Sequence, residues 1–129
     1  MKISPEIVEA ALRPFAPLVV YLFGSCASDR LRPDSDVDLA FLPAQPAEPY
    51  AVYCAAQELA SQLGRDVDLV DLSHASAVLK AQVVGTGQRL LTRDAYRAAE
   101  FEMYALSDYA RANEERREVL DQFAEPHHA

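Results

Sequence analysis

Basic side chains are scarce in this chain, cysteines number only two, and no long apolar run is present. Twelve Lys and Arg face twenty Asp and Glu in 129 residues, a net charge of −8. Nucleic-acid surfaces need clustered Lys and Arg to meet phosphates, so a template-dependent polymerase or a tRNA-binding transferase is disfavoured and no extended nucleic-acid surface is expected. Cys26 and Cys54 are too few and too far apart for a disulfide framework or a metal knuckle, and both are expected to be reduced and at least half-buried. No apolar stretch approaches the roughly 20 residues of a membrane span. The chain also opens without a basic stretch followed by an apolar one. A soluble, cytoplasmic protein without membrane contact is therefore expected.

Half of the residues are hydrophobic, enough for the modest core of one domain over 1–129, with 124–129 as a disordered tail. Ile3-Ser4-Pro5-Glu6 reads as a helix start with Ile3 stapling onto Val8, and apolar residues follow at helical spacing to Phe15. Leu18 to Phe23 has the length and Val/Tyr/Phe content of a buried strand that breaks at Gly24-Ser25. A short helix over 26–31 and a turn-rich loop lead to a second strand, Val37 to Leu42. Glu48-Pro49 starts a helix that Gly64 ends, and a third strand runs from Val67 to Leu72. Ser73 is expected to cap a helix to about Val84, and Gln88 to Leu91 to form a short edge strand. Thr92 then opens a long helix to about Phe123, with Tyr96, Ala99, Met103, Leu106 and Ala110 as its apolar stripe. The alternation of helices and strands defines an α/β fold.

Chemistry concentrates between Tyr21 and Leu42. Asp36 and Asp38 stand two apart at the mouth of the second strand and so point the same way. Paired carboxylates repel unless a cation lies between them, and all-oxygen ligation suits Mg²⁺. The glycine at 24 lets a backbone come close, and N–H groups at a helix start hold phosphate oxygens.

An apolar strand, Gly24-Ser25, ten residues, then Asp36-x-Asp38-Leu39 resembles the signature of the DNA polymerase β-type nucleotidyltransferase superfamily. Within it the chain is similar to the minimal nucleotidyltransferases, which include antitoxins paired with HEPN-domain toxins. After Gly-Ser, where family members commonly carry a small residue, Arg and Gly, this chain has Cys26-Ala27-Ser28-Asp29-Arg30. The resemblance implies a small mixed sheet with helices packed on one face, as in the polymerase β palm, plus the long C-terminal helix. It implies two Mg²⁺ ions held by Asp36, Asp38 and a third carboxylate on the Val67 strand, taken as Asp68 with Asp66 and Asp71 nearby. Gly24, Ser25, Ser28 and Ser35 are the implied contacts to ATP. The implied activity is transfer of AMP from ATP to a hydroxyl, a tyrosine's, on a HEPN ribonuclease toxin. Transfer to a small molecule such as an aminoglycoside, or toxin neutralisation by contact alone, are the alternatives. The stripe on the last helix offers an interface for the toxin partner or a second copy.

Overall fold

The computed structural model describes residues 3–24 and 36–124. Expectations for Ser25, Cys26, Ser28, Arg30 and Ser35, for the helix over 26–31 and for the tail 125–129 lie outside them. The order is α1 (Pro5–Leu12), a 3-10 turn (Arg13–Phe15), β1 (Pro17–Phe23), β2 (Val37–Pro43), α2 (Pro49–Leu63), β3 (Val67–Asp71), a second 3-10 turn (Leu72–His74), α3 (Ala77–Thr86), β4 (Gln88–Thr92) and α4 (Ala95–Ala124).

Local chemistry sets most of these bounds. Pro49 occupies the first turn of α2, where its missing N–H is no loss, and Gly64 ends the helix at φ +67° with its N–H on the Ala60 carbonyl at 2.9 Å. Ile3 and Val8 share one core cluster, as a staple requires. The Ser4 hydroxyl, however, donates to the Glu6 carboxylate at 2.9 Å rather than capping a backbone N–H. Two other caps differ from expectation. Ser76, not Ser73, caps α3 by accepting the Leu79 N–H at 3.1 Å, and Asp94, not Thr92, caps α4 by accepting the Arg97 N–H at 3.0 Å. Ser73 is engaged by Asp71, whose side chain caps the 3-10 turn.

The strands form one mixed sheet in the order β3-β2-β1-β4, with β2 and β3 parallel and the other pairs antiparallel. Alternate residues of each strand face opposite ways, and both faces are covered, which corrects the one-sided packing expected. Val20, Val37, Leu39 and Phe41 pack with Leu12 of α1 and Leu59 of α2. Their neighbours Val19, Tyr21 and Ala40 pack with Val83 of α3 and Ala98 of α4. The central strands β1 and β2 are apolar on both sides, so each face needs its own cover.

The face that α4 buries is not the expected stripe. Tyr96, Met103 and Leu106 are exposed, whereas Ala98 and Ala105 are buried with Phe101 and Glu102 beside them. Small alanines let the helix approach the sheet, and Glu102 reaches inward to a specific partner pair. It accepts the Tyr21 hydroxyl proton at 2.6 Å and both Nε and Nη2 of Arg89, at 2.9 and 2.8 Å. Burial, followed by the hydrogen bond to Glu102, raises the Tyr21 pKa far above the usual phenol range. Cys54 is exposed on α2, contrary to expectation. Among the described residues no helix is long and apolar enough to cross a membrane.

Candidate active site

Strand pairing brings the end of β1 and the starts of β2 and β3 together. Phe23 lies opposite Asp38 across the antiparallel pair, and Asp38 lies opposite Asp68 across the parallel pair. Adjacent strands run about 4.8 Å apart, so two carboxylates in register are close neighbours. Asp38 and Asp68 share the face of the sheet that carries Tyr21 and Ala40. Asp36 sits one residue before β2, and the Val37 N–H after it donates to the Asp66 carbonyl at 2.8 Å, which ties the two strand mouths together.

The electrostatics report the same convergence. Asp38 is half-buried, and its pKa is raised above the ordinary carboxylate value first by burial, then by the charge of Asp68, then by that of Asp36. The three carboxylates stand within electrostatic reach of one another. Among the described residues no three acidic, histidine or cysteine side chains draw close enough to hold an ion as they stand.

Gly24 closes the site from the β1 side at φ +65°, a left-handed conformation that L side chains rarely adopt. A Cβ there would overlap Asp38 Oδ2 and lie 3.3 Å from Asp38 Cγ, so only glycine leaves this carboxylate its place. Ser25, Ser28 and Ser35 fall outside the described residues.

Of the other acids on β3, Asp71 faces away from Asp68, because three residues along a strand reverse the side. Its Oδ1 is taken by the Ser73 N–H at 2.9 Å and hydroxyl at 2.6 Å. Asp66 precedes the strand and lines a cleft of about 510 Å³ with Asp36, Gln57, Ser61 and Arg65. Gln57, Ser61 and Arg65 are site neighbours that sequence reading missed. The i, i+4 spacing of Gln57 and Ser61 on the polar side of α2 is the only signal for them.

A mixed sheet with an Asp-x-Asp strand beside a third acidic strand, and a tight glycine turn pressed on the acidic pair, defines a nucleotidyl-transfer palm. The chain belongs to the polymerase beta nucleotidyltransferase family, whose model matches residues 6–96. That span includes Gly24, Asp36, Asp38 and Asp68 and stops just inside α4. The chain is 47% identical over 72 residues to the protein adenylyltransferase MntA of Shewanella oneidensis, covering 56% of this chain and 52% of that protein. It thus spans about half the length of this curated relative. A chain in the crystal structure of a toxin–antitoxin with AMP-PNP superposes at TM-score 0.82 with 34% identity, covering 94% of this chain and 98% of that one. Another, in the tri-AMPylated Shewanella oneidensis HEPN toxin complexed with MNT antitoxin, superposes at TM-score 0.75 with 34% identity, covering 92% and 94%.

Proposed function

We propose that this chain is a cytoplasmic protein adenylyltransferase antitoxin that moves AMP from ATP to a tyrosine hydroxyl of a cognate HEPN ribonuclease toxin. The observation that carries this reading is the in-register pair Asp38 and Asp68 on adjacent parallel strands, with Asp36 in reach and Gly24 folded against Asp38. The donor set is all carboxylate oxygen, which fits Mg²⁺, and like charges held in reach of one another favour a cation between them. Asp36, Asp38 and Asp68 would hold two such ions, which supply charge neutralisation at the phosphates and a lowered hydroxyl pKa.

The chain's own groups then have separate tasks. Gly24 and Ser25 let backbone N–H groups come close to the β- and γ-phosphates, with Ser28 and Ser35 as further nucleotide contacts. Asp68, on the outer strand, stands on the acceptor's side and takes the hydroxyl proton. The acceptor oxygen forms a bond to the α-phosphorus, the bond from that phosphorus to the bridging oxygen breaks, and pyrophosphate leaves. The exposed Tyr96, Met103, Tyr104 and Leu106 of α4 are the surface we assign to assembly with the toxin or a second copy.

The test is intact mass of the HEPN partner after incubation with this chain, ATP and Mg²⁺, beside an Asp36→Asn/Asp38→Asn variant. Addition of one or more AMP units by the wild type alone is the expected result. Toxin silenced equally by both proteins, with no mass gain, would show neutralisation by contact and sink the catalytic reading.

A further inference from the structure

Among the described residues β3 ends the sheet, and an open groove runs along its outer edge with α2 as the other wall. Three cavities form it. One of about 510 Å³ holds Asp36, Asp66 and Gln57; the next, about 340 Å³, holds Gln57, Tyr53, Val67, Asp68 and Leu69; the last, about 330 Å³, holds Val52, Asp71 and His74. Gln57 lines the first two, and Pro49 and Val52 line the last two, so the groove is continuous past Asp68.

The edge itself has a fixed polarity. The Asp66 carbonyl accepts from Val37 of β2. By the alternation of a parallel ladder, the backbone groups of Asp66, Asp68 and Val70 then face β2 while those of Val67 and Leu69 face the groove. At its far end Asp71 is nearly buried, its side chain 11% exposed. Among the described residues Asp71 Oδ2 is buried with no hydrogen-bond partner, and His74 Nε2 stands 4.0 Å away. A buried carboxylate oxygen without a donor is costly, so this end of the groove suits an incoming N–H.

We propose that the acceptor protein enters as an extended segment that adds to the free edge of β3, placing its hydroxyl residue at Asp68 and a lysine or arginine three residues away on Asp71. The inference rests on the adenylyltransferase reading. Its spacing follows from the strand: three residues are about 10 Å, and both the segment's residues and Asp68 and Asp71 alternate faces over that interval. Edge addition uses the outward N–H and C=O of Val67 and Leu69 for hydrogen bonds and side-chain pockets for selectivity. Charge agrees, since Asp36, Asp66, Asp68 and Asp71 outnumber Arg65 and His74 along the groove of a chain of net charge −8, which favours a basic segment.

Hydrogen–deuterium exchange on the full chain, alone and with its HEPN partner, tests the idea. The Val67 and Leu69 amides should slow at least tenfold in the complex. Asp71→Asn, and Tyr53→Arg at an exposed groove position, should each raise KM for the acceptor about tenfold while the ATP-induced rise in Tm persists. Unchanged exchange and KM with AMP transfer intact would overturn the groove and leave the adenylyltransferase reading standing. Protection that grows with concentration of this chain alone would assign the edge to a second copy and overturn the acceptor's place there. No AMP transfer by the wild type would overturn both.

Discussion

Replacing Gly24 by alanine should do two separable things, and Gly64 supplies the control for one of them. Both glycines hold left-handed backbone, at φ +65° and +67°. An L side chain in that region costs about 1–2 kcal/mol. At Gly64 nothing among the described residues lies within 4 Å of an added Cβ, so Gly64→Ala should show the backbone cost alone. At Gly24 the new Cβ overlaps Asp38 Oδ2 and presses on Cγ at 3.3 Å, and Asp38 is tied by its register to Phe23 and Asp68, so the side chain must rotate rather than the strand move. An off-rotamer side chain adds about 1 kcal/mol. Thermal unfolding should therefore place Gly24→Ala about 1 kcal/mol below Gly64→Ala, roughly 4 °C in a domain of this size. The functional difference should be larger: Gly64→Ala keeps the rise in Tm with ATP and Mg²⁺, and Gly24→Ala loses most of it. Equal stabilities with equal ATP responses would refute the argument that Gly24 exists to seat the Asp38 carboxylate.

Ala16 sits at φ +47° without a glycine's freedom, so Ala16→Gly should raise stability by about 0.5 kcal/mol in chemical denaturation, the relieved strain exceeding the added chain entropy. A lowered midpoint would contradict this. Tyr21→Phe removes the 2.6 Å hydrogen bond to Glu102 from a buried site and should cost about 1.5–3 kcal/mol, read from urea unfolding. Glu102 is held below its ordinary pKa by Arg89 first and Tyr21 next, so its contribution is present above the ordinary carboxylate pKa and disappears as pH falls through the folded value. Glu102→Gln should therefore be the less acid-sensitive protein below about pH 4.5, and parallel pH-stability curves would count against the pairing. Ala98→Leu, at a fully buried position of α4, should cost about 1–3 kcal/mol by overpacking, while Met103→Ser on the exposed stripe stays within about 0.5 kcal/mol.

Elements with local causes were legible in the chain, and those set by distant contacts were not. Pro49 and Gly64 bracket α2 by their own backbone limits, and the apolar runs of β1 and β2 marked buried strands, although the cover on both of their faces was not anticipated. The caps of α3 and α4 shifted by two or three residues because Ser73 and Ser76, or Thr92 and Asp94, are chemically equivalent candidates within one turn. Only Asp71's claim on Ser73 separates the first two. The long helix misled for a deeper reason. Hydrophobicity marks a buried face only where burial is filled by large side chains, and α4 instead approaches through Ala98 and Ala105 and turns Glu102 inward to Tyr21 and Arg89. Its large apolar residues, Tyr96, Met103 and Leu106, are left outside, which is what a surface kept for another protein would show. At the candidate site the two-residue spacing of Asp36 and Asp38 was readable, but the pairing of Asp38 with Asp68 is a parallel register across thirty positions that no local pattern encodes. The family resemblance supplied that strand. Parity then does the remaining work: in a strand of period two, Asp68 can face Asp38 only if Asp71 faces α2, where the structure places it beside Val52 and His74. The same alternation that selects the acid beside Asp38 therefore leaves a second, nearly buried carboxylate on the opposite side of one free edge.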